Sequence, residues 1–129
     1  MSTYHAPLPE IQFVLNELAG LEQVSKLPGY EDASPDTVAA ILEEAAKFAT
    51  DVLDPLNAPG DREGAQWQEG GVVKTPKGFK DAYAQYCANG WNGLTKNPDH
   101  GGQGLPQLVA TAVEEMWHAS NLSFDLCPL

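Results

Sequence analysis

The strongest constraint in this sequence is one long stripe of apolar residues at helical spacing. Val38, Ile41, Leu42, Ala45, Phe48, Ala49 and Val52 recur every three or four positions, so in a helix they share a face. Glu43, Glu44, Lys47, Thr50, Asp51 and Asp54 fall on the other side. Ser34 stands where a side-chain oxygen would cap free N–H groups, and Pro35 suits the first helical position because no N–H is needed there. The pattern predicts a helix reaching about Leu53, with Glu43 and Lys47 as an i, i+4 ion pair of the favourable order. A one-faced helix must bury its stripe, so the rest of the chain has to supply partners.

Three further stripes supply them. Ile11, Val14, Leu15 and Leu18 predict a helix over about Pro9–Ala19, stopped by Gly20. Thr75-Pro76 repeats the cap-then-proline signal ahead of Phe79, Ala82, Tyr83, Tyr86 and Cys87, and Asn89-Gly90 ends that segment. Leu108, Val109, Ala112, Val113, Met116 and Trp117 predict a last helix over about Leu105–Ser120, ended by Asn121. Between the second and third helices, Pro55, Pro59 and Gly60 read as helix breakers, so 55–75 is expected to be irregular. Gln66-Trp67-Gln68 and Val72-Val73-Lys74, on either side of Glu69-Gly70-Gly71, form one candidate short hairpin. The fold class is therefore all-α: an antiparallel bundle of about four helices with long loops. Residues 1–33 form an extension with one helix, and 34–129 the main helical domain. The apolar tail Leu122–Leu129 reads as the cut end of something longer.

Charge excludes some functions. Seven basic against 18 acidic residues give −11, which repels nucleic acid and anionic lipid, and no Lys/Arg cluster offsets it. No apolar run is long enough to span a membrane, and the start from Met1 lacks the pattern of a secretory signal. Cys87 and Cys127 are too few for a disulfide scaffold, so a cytoplasmic location and buried free thiols are expected.

Chemistry is sparse. His5, His100 and His118 stand in no metal-ligand spacing. No GxSxG turn is present, and a triad of Ser120, His118 and Asp125 would be an arbitrary selection. Glu114-Glu115 reads as a solvated helix face rather than an acid–base pair. Trp67, Trp91 and Trp117 read as core or interface residues. Gly101-Gly102-Gln103-Gly104 precedes a helix, the setting of a phosphate loop. However, Leu105-Pro106 follow where a Walker loop needs Lys and Ser/Thr, so a structural turn is the better reading.

Three blocks in order carry a resemblance: Gly90-Trp91-Asn92-Gly93-Leu94, Pro98–Pro106, and Glu114-Glu115-Met116. Together they resemble the N-terminal helical domain of the acyl-CoA dehydrogenase family. Tyr4, Pro7, Ile11, Phe13 and Leu15 resemble the extension of a longer subfamily, which includes 3-methylmercaptopropionyl-CoA dehydrogenases. Pro55-Leu56-Asn57, Gly60–Gly64 and Val73–Phe79 add to that match. The resemblance covers essentially the whole chain. It implies a parent oxidoreductase that uses FAD to desaturate an acyl-CoA thioester, with a glutamate base and most flavin contacts in later domains. It implies no catalytic, cofactor-binding or metal-binding residue here, no cofactor on this chain alone, and acyl-CoA reached through the missing domains. Phe124 and Leu126 are the expected pocket-wall residues. The competing expectation is a non-enzymatic helical module that self-associates or pairs with a partner.

Overall fold

The computed structural model describes residues 3–128. Met1, Ser2 and Leu129, and with them the very ends of the two terminal readings, lie outside the described residues. Helix accounts for 63% of the structure and the only strands described form a two-stranded sheet, so the helical expectation holds at that level.

The chain begins with α1 (Leu8–Phe13), which widens into a π-helical turn at Val14–Leu18 closed by Ala19 N–H donating to the Val14 carbonyl at 2.8 Å. A short α2 (Leu21–Val24) follows. Then comes α3 (Pro35–Phe48), capped as expected, with Thr37 N–H donating to Ser34 Oγ at 3.2 Å. Its stripe is buried at Val38, Leu42, Ala45 and Phe48. The ion pair differs from the expected one. Lys47 Nζ meets Glu44 at 2.6 Å, one turn position closer than Glu43, and both groups stay mostly exposed, where such pairs are worth little.

The expectation of an irregular 55–75 fails over its first part. A π turn at Ala49–Leu53 runs directly into α4 (Asp54–Glu63), which contains Pro55, Pro59 and Gly60. The extra residue in the π turn shifts the backbone ladder just ahead of Pro55. Pro55 then sits in the first turn of α4, where its missing N–H is least costly. Gly60 is retained in the helix because Phe79 packs where a side chain would be: a Cβ on Gly60 would lie 2.6 Å from the Phe79 ring. The hairpin forms as proposed, β1 (Gln66–Gln68) pairing antiparallel with β2 (Val72–Lys74), Trp67 opposite Val73. Both of these side chains are exposed, so Trp67 takes no part in the core.

The remaining helices are α5 (Phe79–Ala88) and α6 (Gln107–Asp125). Thr75-Pro76 does not cap α5, which starts three residues later, after Gly78. Asn121 does interrupt α6, with φ −159° and ψ 82°, yet the helix resumes. The reason is that Asn121 caps the new start: its Oδ1 accepts from Phe124 N–H at 3.1 Å and from Ser123 Oγ at 2.8 Å. Its Nδ2 donates to the Leu53 carbonyl at 3.0 Å, fastening the kink to the junction of the π turn and α4. α6 packs along α3, α4 and that π turn, and Val109, Val113, Met116 and Trp117 fill the core between them. Ile11, Leu15 and Leu21 of the first segment join the same core. Tyr4 is pinned at both ends of its peptide: its N–H donates to Asp54 Oδ2 at 3.2 Å and its carbonyl accepts from Thr50 Oγ1 at 3.3 Å.

Candidate functional site

Two recesses flank the end of α6. The first is an open, largely apolar groove of about 1000 Å³ between α4, α5 and the resumed turn of α6. Its floor is built from Phe79, seated over Gly60, and Phe124, whose ring centroid lies 6.2 Å from that of Phe79. Phe124 is 3% exposed and Leu126 is 62% exposed, so the two expected wall residues meet in one groove, one as floor and one as rim. Leu122 and Tyr83 add exposed apolar surface, and Lys80 and Asp61 stand among the lining residues. Cys127 also lies here and is exposed, contrary to the expectation of two buried thiols, because it follows the last turn of α6 instead of sitting within it; Cys87 is half-buried.

The second recess is smaller, about 250 Å³, and lies toward the 91–96 segment. An aromatic row joins the two. Phe124 meets Tyr86 edge-on at 6.0 Å, Tyr86 meets Trp117 at 5.3 Å, and Trp117 meets Trp91 at 5.4 Å. Asp125 faces this cavity from the resumed turn. Its side chain is 3% exposed, and Oδ2 lies 2.7 Å from His118 Nδ1 across the kink. Nδ1–H is aligned on the Glu114 carbonyl, 2.8 Å away, so the carboxylate gains proximity to the ring without an aligned hydrogen bond. Burial pushes the Asp125 carboxyl above the usual carboxylate range, with Glu114 adding to the effect and His118 opposing it. Tyr86 is pushed up to about 12, first by burial and then by the charge of Asp125. The pairing of His118 with Asp125 could not be read from spacing alone, because seven residues apart they meet only through the kink. Ser120 turns away to the Trp117 carbonyl.

The Gly-rich loop has no free donors for a phosphate. The N–H groups of His100, Gly101, Gly102, Gln103, Gly104 and Leu105 donate in turn to carbonyls of Asn97, Pro98, Asn97, Gly93, Lys96 and Leu94. A Cβ on Gly102 would lie 2.0 Å from the Lys96 carbonyl oxygen, so this glycine serves close backbone packing. The loop therefore does not fit the pyrophosphate of a flavin dinucleotide, and no flavin chemistry runs through it. Among the described residues no group of three or more His, Cys, Asp or Glu side chains converges on a point that could hold a metal. Nor is any described helix long and apolar enough to cross a membrane.

Comparison with known proteins finds a relative that matches along nearly the whole chain. The chain is 40% identical over 127 residues to 3-methylmercaptopropionyl-CoA dehydrogenase of Ruegeria pomeroyi. The chain resembles an acyl-CoA dehydrogenase along 98% of its length. It spans 21% of that relative, about a fifth. No family model matches the chain. The acyl-CoA dehydrogenase resemblance thus rests on similarity that includes both the groove and the polar cavity.

Proposed function

We propose that this chain is the N-terminal helical part of a FAD-dependent acyl-CoA dehydrogenase, and that its groove walls the acyl end of the substrate pocket. The observation that carries the reading is the identity across 98% of the chain, joined to the meeting of Phe124 and Leu126 in one apolar groove. Residues 1–33 act as an extension lying on the main domain, and 34–129 as one end of an antiparallel bundle. Phe79, Phe124, Leu122 and Leu126 exclude water from an apolar chain, which is what a hydrophobic wall contributes to binding. The flavin, when bound in the parent protein, supplies the hydride acceptor; it and the catalytic base belong to segments other than this one. The 129-residue chain alone is expected to be colourless and inactive, and the parent to be cytoplasmic.

A chimera tests this. The matching segment of the Ruegeria pomeroyi relative is replaced by this chain, and acyl-CoA oxidation is followed with an artificial electron acceptor. Activity should be retained, and Leu126→Asp should raise KM about tenfold with a smaller change in kcat, as loss of apolar binding predicts. An unchanged KM would remove the groove from the pocket. A folded, flavin-loaded chimera inert toward every acyl-CoA would overturn the family reading.

A second reading, a self-associating module, draws on Phe13 at the end of α1 and Val14 and Leu18 of the π turn that follows, which are 57%, 47% and 71% exposed. Sedimentation showing a dimer that Leu18→Glu abolishes would favour it.

A further inference from the structure

The apolar groove has two jaws, and both start from one short stretch of backbone. α4 lines one side with Asn57, Ala58, Gly60 and Asp61, and it leaves directly from the π turn at Ala49–Leu53. The resumed turn of α6 lines the other side with Phe124 and Leu126. It hangs from the same π turn through the bond from Asn121 Nδ2 to the Leu53 carbonyl. Asp54 N–H closes that turn on the Ala49 carbonyl. The angle between the jaws therefore depends on residues 49–54. A single π turn inside a helix is an interruption of the kind found mostly at functional sites.

The N-terminal segment grips this junction from outside. Thr50 Oγ1 donates to the Tyr4 carbonyl, and Asp54 Oδ2 accepts from Tyr4 N–H, so the two side chains hold both ends of one residue's backbone. A threonine within a helix commonly bonds back to its own turn, as Thr111 does, its Oγ1 donating to the Gln107 carbonyl at 2.9 Å. Thr50 instead reaches a residue 46 positions earlier. The Tyr4 ring is half-buried and packs against the core, which keeps the grip in place. Chain ends fray unless something ties them down, and here the tie is made by the junction itself. We propose that the N-terminal segment at Tyr4 is a positioning element for the groove, bracing the junction from which both jaws leave. Its effect on turnover rests on the acyl reading of the groove; its effect on the shape of the groove does not.

Thr50→Val removes the hydroxyl at nearly constant volume, and Thr50→Ser keeps it. In nitrogen-15 correlation spectra of the 129-residue chain, Thr50→Val should move the backbone signals of 57–61 and 124–126 and leave the hairpin at 66–74 still. Thr50→Ser should return them. In the chimera with the Ruegeria pomeroyi relative, Thr50→Val should raise the acyl-CoA KM about threefold with kcat nearly unchanged, the size expected for one net hydrogen bond. Thr50→Ser should restore that KM. Asn121→Ser keeps a capping hydroxyl but is too short to hold Leu53. In that background Thr50→Val should raise KM by less than it does alone, because one jaw no longer follows the junction. Signals at the jaws that stay put, or that move together with the hairpin, overturn the proposal. So does a KM that ignores Thr50→Val while Leu126→Asp still raises it, and the dehydrogenase reading then stands without the brace. If Leu126→Asp leaves KM unchanged, the acyl reading falls instead, and the signals at the jaws alone decide whether Tyr4 positions the groove.

Discussion

Two stretches of this chain are rich in glycine and proline, and they do opposite things. Residues 54–63 hold Pro55, Pro59 and Gly60 and form a helix, whereas 98–106 hold Pro98, Pro106 and three glycines and form a turn lattice. What separates them is where the broken hydrogen bonds go. In α4 the π turn shifts the ladder ahead of Pro55, and Phe79 occupies the space that Gly60 leaves. In the loop every N–H from His100 to Leu105 finds a carbonyl outside any α-helix, two of them in single 3-10 turns at Trp91–Gly93 and Pro98–His100, so no α-helix is needed. Glycine and proline therefore mark positions of special geometry, and the neighbours determine whether that geometry is a break.

The contrast can be broken at several points. The largest effect is expected for Gly102→Ala, because the new Cβ would press into the Lys96 backbone, which cannot swing aside; a loss of about 3 kcal/mol in a denaturant titration is expected. An unchanged midpoint would mean that the loop is softer than its packing indicates. Pro59→Ala should act the other way. The position is exposed and helical, so a restored N–H and better helix propensity, less the loss of proline's restraint on the unfolded chain, should stabilise by about 2 kcal/mol. Destabilisation there would show that α4 depends on its proline. Gly60→Ala gains about 1 kcal/mol of propensity but collides with the Phe79 ring, and a net loss of about 1 kcal/mol is expected. Near-ultraviolet dichroism should report the displaced ring.

The smallest effect concerns Asp125, beside the 91–96 segment. Its folded carboxyl is raised mainly by burial, so it favours the folded state at low pH, and that contribution is lost as pH rises through the folded value. Asp125→Asn should flatten this part of the stability–pH curve. A mutant curve parallel to the original across the acidic range would show that the carboxyl titrates alike in both states.

The fold was legible wherever a local rule and the tertiary packing agreed. Ser34-Pro35 and the stripe beneath it gave α3, and the two short apolar runs around Glu69-Gly70-Gly71 gave the hairpin. α4 was missed because its support comes from Phe79, some twenty positions onward in the chain, which no window of local sequence contains. The resumed turn of α6 was missed for a related reason: Asn121 was rightly read as an end, but the same side chain also begins the next turn. Phe124 and Leu126 were named through family resemblance; both line one apolar groove, and its part in a substrate pocket is the proposal made above. The Asp125 cavity was invisible, since a buried carboxylate looks like an ordinary residue until its neighbour across the kink is found.

Asn121 carries one more implication. Its amide holds the Leu53 carbonyl with one end and starts the last turn of α6 with the other. The heading of the chain beyond that point is thus steered from a junction 68 residues earlier, and not by the helix it continues. Any shift of the π turn at Ala49–Leu53 would swing Phe124 and Asp125 together, like two vanes on one spindle, altering the groove and the cavity in a single movement.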